Sequence, residues 1–217
     1  VYPIIDGIPE IKEQASRFVK AFLDTDIKPQ GCIPTVGSMQ ASFASLMIAS
    51  QLDRKRNTVL YIDPGFPVQK LQAQVIGVDV ASFDIASCRG KSLEAQLKSM
   101  YEKGNICAVL YSTPNNPTWM TLTEEELEII GRLSAKYDVL VIEDLAYMTM
   151  DFRRDMSRPF EPPFQPSVSK YTDNYILLIS ASKIFSYAGQ RIALACISDK
   201  LFTRHYDALK ERYGMAR

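Results

Sequence analysis

The chain has 217 residues, 47% of them hydrophobic, with 25 basic and 25 acidic side chains and a net charge of zero. That is enough apolar material for one large core, and the even charge speaks against a basic nucleic-acid face or a charged disordered tail. Four scattered cysteines without a CxxC pair, and the single histidine His205, argue against a disulfide framework, a zinc site and most histidine-based catalysis; they fit a reducing cytosol.

No apolar run reaches the ~20 residues that cross a bilayer. The N-terminal VYPIIDGIPEIKEQ lacks the basic-then-apolar pattern of a signal peptide. It also lacks an initiator methionine, so the chain is expected to be cut from something longer. Hydrophobic spacing predicts a helix over 9–24, with Ile11, Ala15, Phe18, Val19 and Phe22 on one face. A short strand over 31–36 and a helix over 38–51 follow. TVLYI (58–62) is a strand stopped by Asp63-Pro64-Gly65. Next come a short helix over 67–74, a strand over VIGVDV (75–80) and a helix over 91–103. ICAVLYS (106–112) is a strand that runs into the loop TPNNPT. Thr123, with Glu126 three residues on, forms a capping box for a helix ending near Lys136. VLVIE (139–143) reads as a buried strand. Residues 151–174, with Pro159, Pro162, Pro163 and Pro166, are expected to be irregular. YILLIS (175–180) and IALACIS (192–198) are strands joined only by a loop, 181–191, so they should be antiparallel neighbours. A last helix covers about 199–212 and carries His205, read as a surface residue.

Strands alternating with helices predict one α/β domain with a mostly parallel sheet buried on both faces. Ligands of such sheets bind beyond the carboxyl ends of the strands. That rule nominates Gly37 and Ser38, Asp63 to Phe66, Asn115 and Asn116, Asp144 and Tyr147, and Ser182 and Lys183. Each has a plainer reading alone: Ser38 as a helix N-cap, Phe66 as core, Asn116-Pro117 as a turn, Lys183 as a surface lysine. Together they offer an anion site, an aromatic face, an amide, a carboxylate, a phenol and an amine at one edge of the sheet.

These residues resemble the large domain of fold-type I, class I/II aminotransferases, the aspartate aminotransferase-like group that uses pyridoxal 5′-phosphate (PLP). SASKIFSYAGQRIA (180–193) resembles the family's Schiff-base segment, VIEDLAY (141–147) its Asp-x-x-Tyr strand end and TPNNPT (113–118) its Asn-Pro-Thr loop. TVGSMQA (35–41) resembles its phosphate turn, DPGFP (63–67) its ring-stacking segment, and YPIIDG (2–7) its Tyr followed five positions later by Gly. The resemblance implies a three-layer α/β/α sandwich of about seven strands, only the last antiparallel. It implies that Lys183 forms the Schiff base and shuttles a proton, and that Asp144 pairs with the pyridine nitrogen. It implies that Tyr147 and Asn116 hydrogen-bond the phenolic oxygen and that Phe66 stacks on the ring. Arg191, Ser180 and Ser182, with Gly37 and the amides of Ser38 and Met39, would hold the phosphate, and Tyr2 would reach the phosphate of a neighbouring subunit.

Two departures stand out: Trp119 where the family usually has Gly, and Ala193 where Gly is frequent. Residues 1–217 would be the PLP-binding large domain of an enzyme about twice as long. The N-terminal segment, and the small domain with the arginine for the substrate carboxylate, would lie elsewhere, so this chain alone should turn over poorly. The expected activity is amino-group transfer between an amino acid and a 2-oxo acid, in a cytoplasmic homodimer that binds neither nucleic acid nor membrane. The motifs leave open a carbon–sulfur β-lyase or a PLP-binding regulatory module, and they do not specify the substrate.

Overall fold

The computed structural model describes residues 6–213. Seven strands form one sheet: β1 (Cys32–Val36), β2 (Thr58–Asp63), β3 (Asp79–Asp84), β4 (Ile106–Ser112), β5 (Leu140–Asp144), β6 (Tyr175–Ser180) and β7 (Ile192–Ile197). Their spatial order is β1-β7-β6-β5-β4-β2-β3. All neighbours are parallel except at β7, which runs antiparallel to both β1 and β6. The predicted mixed sheet with one reversed strand is therefore present.

Among the described residues seven α-helices accompany the sheet: α1 (Pro9–Leu23), α2 (Gly37–Leu52), α3 (Pro67–Val75), α4 (Lys91–Tyr101), α5 (Glu124–Tyr137), α6 (Ala181–Ile184) and α7 (Asp199–Tyr213). Side-chain alternation along the strands divides the core in two. Tyr175, Leu177 and Ile179 of β6 pack with Ala15 and Val19 of α1, Leu93 and Leu97 of α4 and Leu127 and Ile130 of α5. Ile176 and Leu178 of the same strand pack with Ala41 and Leu46 of α2, Ala73 of α3 and Leu201 of α7. The result is three layers, with β4, β5 and β6 buried along their whole length. Each fully buried leucine or isoleucine contributes about 1.5–3 kcal/mol. The capping box of α5 is formed as expected: Thr123 Oγ1 accepts from the Glu126 amide at 3.2 Å and Glu126 Oε2 accepts from the Thr123 amide at 2.9 Å.

Four sequence expectations are corrected. The strand read over 75–80 begins at Asp79, because Val75 closes α3 and Gly77, at φ 74°, makes the turn. On α1 it is Ile11 that is exposed and Lys12 that is buried, in an ion pair with Asp6. The N-cap of α2 is Val36, not Ser38, which lies inside the first turn. Loop 181–191 contains the single-turn helix α6.

Candidate active site

The parallel strands deliver their carboxyl ends to one edge of the sheet. Ser112 at the end of β4 is in register with Asp144 at the end of β5, and Asp144 with Leu178 near the end of β6. Because β7 is reversed, its start joins the same edge. Ile192 pairs with Val36, the last residue of β1, and Ala193 pairs with Ser180, the last of β6. Gly37, Asp144, Ser180 to Lys183 and Arg191 thereby converge from positions far apart in the chain.

Arg191 and Gly37 form one corner. The Gly37 amide donates to the Arg191 carbonyl at 2.7 Å. Gly37 has φ 71°, and a Cβ there would stand 2.2 Å from Arg191 Nη2, so the guanidinium lies directly on the glycine. Val36 offers no side-chain oxygen to the first turn of α2, so the amides of Ser38 and Met39 start an uncapped helix. Among the described residues Arg191 has no carboxylate within ion-pair distance; its Nη1 donates to the Ala188 carbonyl at 3.0 Å. A guanidinium beside a helix N-terminus makes this corner electropositive and able to attract an anion. Ser180 is buried and caps α6, its Oγ accepting from the Ser182 amide at 3.2 Å. Ser182 is half-buried beside it.

Asp144 forms the second corner. Strand alternation sends it to the α2/α3 face and its neighbour Glu143 to the other. Asp144 Oδ1 accepts from the Ala146 amide at 3.0 Å and Oδ2 from Gln69 Nε2 at 2.8 Å. Burial pushes the Asp144 carboxyl up from its ordinary value, while those two donors pull it down. Gln69, on α3 and only 2% exposed, was missed by the sequence reading. The available signal was its place one helical turn after Phe66. Gln72, a further turn along, donates to the Met39 carbonyl at 2.9 Å, so α3 braces both corners.

The other residues nominated from the sequence lie on loops at the same sheet edge. Lys183 is exposed, and its Nζ lies 5.9 Å from the Tyr147 ring centroid; among the described residues it has no carboxylate partner. Tyr147 is half-buried and takes Trp119 edge-on at 5.5 Å between ring centroids. Phe66, at the N-cap of α3, is 36% exposed and so is not core. Asn116 is half-buried, and its amide makes no hydrogen bond among the described residues. The adjacent Asn115 is the structural one, donating to the Pro64 carbonyl at 2.6 Å and to Ser112 Oγ at 3.1 Å. Tyr2 lies outside the described residues. His205, on α7, is half-buried in a cavity with Asp138, Asn174 and Arg204 near the amino ends of the strands, away from this edge.

Residues 1–213 match the family model for aminotransferase class I and II. The chain is 29% identical over 194 residues to the glutamate-pyruvate aminotransferase AlaC of Escherichia coli, covering 88% of this chain and 45% of that protein. It is 24% identical over 196 residues to a probable aspartate aminotransferase of Methanocaldococcus jannaschii, covering 90% and 48%. The Thermus thermophilus aspartate aminotransferase with maleate superposes with a TM-score of 0.75 at 22% identity, covering 97% of this chain and 52% of that one. The chain thus spans about half the length of these relatives. With sheet, corner geometry and family match in agreement, the chain belongs to the class I and II aminotransferases.

Proposed function

We propose that this chain is the cofactor-binding domain of a PLP-dependent enzyme that moves an amino group between an amino acid and a 2-oxo acid. Members of the family are PLP-dependent. The residues fit that group: an electropositive corner, a buried carboxylate and an amine with no carboxylate partner among the described residues lie at the same sheet edge. When bound, PLP supplies an aldehyde for an amine and a ring that takes up the electron pair left at the substrate α-carbon. Arg191 and the α2 amides would hold the phosphate, with Ser180 and Ser182 beside them. Asp144 would keep the pyridine nitrogen protonated, and Gln69 holds that carboxylate in place. Phe66 would cover one face of the ring, and Asn116 and Tyr147 would donate to its phenolic oxygen. Lys183 would take the aldehyde and, once released by the substrate amine, move the proton between the α-carbon and C4′.

A homodimer and a cytoplasmic setting belong to the same reading. Val36 and Ile192, in register at the β1–β7 end of the sheet, are 62% and 42% exposed beside the anion corner, an apolar pair suited to a second subunit. Among the described residues no helix is long and apolar enough to cross a membrane. The convergence of Lys183, Asp144 and Arg191 carries the proposal. Its test is borohydride reduction after adding PLP, followed by peptide mapping. Label on Lys183, absent in Lys183→Ala, is the expected result; label fixed on a different lysine would sink it.

A further inference from the structure

The chain's only tryptophan occupies a backbone position that suits glycine. Trp119 has φ 62°, in the left-handed region where a Cβ crowds the neighbouring carbonyl. The loop enforces this conformation. The Trp119 amide donates to the Asn115 carbonyl at 2.9 Å and the Asn115 amide to the Met120 carbonyl at 2.8 Å. Asn115 Oδ1 accepts from Thr118 Oγ1 at 2.8 Å. Core packing does not account for the strain, because the indole is 47% exposed. A large aromatic that is both strained and half in water is a feature to associate with function.

Its surroundings say which function. Among the described residues the one aromatic ring that Trp119 touches is Tyr147, edge-on at an interplanar angle of 68°. Lys183 Nζ lies over that same ring. The exposed indole and the Lys183 amine therefore share Tyr147 as a neighbour, which sets the indole near the amine that, on the proposed function, works at the substrate α-carbon. Among the described residues the cations that reach this ring pair or its loop have other roles, and Lys183 is the amine that the proposed function commits to the aldehyde. Arg89, which reaches this loop by donating to the Thr121 carbonyl at 3.3 Å, is held by Glu126 at 2.5 and 2.7 Å. Arg191 belongs to the anion corner. An acidic side chain would lose water against the indole without a partner, whereas an apolar one gains from the contact.

We propose that Trp119 is a specificity-determining residue, an apolar wall that favours amino acids with aromatic or branched aliphatic side chains over acidic ones. The proposal rests on the transaminase reading above. Its test uses the full-length polypeptide loaded with PLP, comparing Trp119→Ala, Trp119→Gly and Trp119→Phe with the parent on phenylalanine, leucine and aspartate. Trp119→Ala and Trp119→Gly should lower kcat/KM for phenylalanine and leucine by about tenfold or more, mainly through KM, and leave aspartate within about twofold. Trp119→Phe should keep most of the parent preference. Equilibrium affinities for the 2-methyl derivatives of phenylalanine and aspartate, which lack the α-proton and bind without turnover, should split the same way. Trp119→Gly should unfold at or above the parent temperature, because glycine takes this φ freely. Equal losses on all three substrates, or unchanged preference, would overturn the proposal while Lys183 still takes the borohydride label. Absence of that label in the parent would overturn the transaminase reading and this proposal with it.

Discussion

Glu143→Gln should flatten the dependence of stability on pH. Glu143 is fully buried on the face opposite Asp144. Its carboxyl accepts from Ser167 Oγ at 2.5 Å, from the Val168 amide at 3.2 Å and from the Tyr111 hydroxyl at 3.1 Å. Burial outweighs these donors and pushes its pKa from 4.5 to about 7. A carboxyl raised on folding binds its proton more readily in the native state. Its contribution is therefore complete below pH 4.5 and is lost as the pH rises through 7. At 1.36 kcal/mol per pKa unit, that gap corresponds to about 3 kcal/mol. Glutamine keeps the shape and an acceptor oxygen but has no proton to lose. Urea unfolding of parent and variant, followed by circular dichroism from pH 4 to 8, measures the difference. The parent should lose about 3 kcal/mol relative to the variant across that range, with the loss ending slightly above neutrality. A difference that stays constant with pH would refute the assignment.

Two further outcomes are expected. Gln69→Leu removes a donor to a buried carboxylate, a bond worth about 1.5–3 kcal/mol, and should weaken PLP binding by about tenfold or more in an absorbance titration while Lys183 still takes the label. Gly37→Ala puts a Cβ into the Arg191 guanidinium at a positive φ; the backbone strain alone should destabilise by about 1–2 kcal/mol, read by thermal unfolding, and inorganic phosphate should then compete more weakly with PLP.

What the sequence made legible follows from the type of signal. Strands β4, β5 and β6 are uninterrupted apolar runs because both faces are covered, so their limits stand out within a residue or so. The loop residues after them could be nominated from topology, since a parallel sheet collects the same end of every strand. Edge strand β3 was misplaced because Phe83 is its only buried residue, while Val75 and Ile76, just upstream, are apolar but belong to the end of α3 and its turn. The partners of Asp144 were not legible. Gln69 lies 75 residues away, and its place one turn after Phe66 puts it near the site edge without showing which group it would bind. The same holds for Glu143, whose donor Ser167 sits in the irregular segment 151–174. Long-range pairing of polar groups leaves no periodic trace.

The reversed strand β7 has a consequence for how the molecule tolerates change. A single hairpin, from Ser180 through Lys183 to Arg191, carries both the amine and the guanidinium. The two cannot drift apart independently, because the connection that bears one ends at the other. On the proposed function the hairpin would act as a ruler, set to the span between the aldehyde carbon and the phosphate of PLP. An insertion in 151–174 would lengthen a surface detour, but one added residue between Lys183 and Arg191 would change the measure itself.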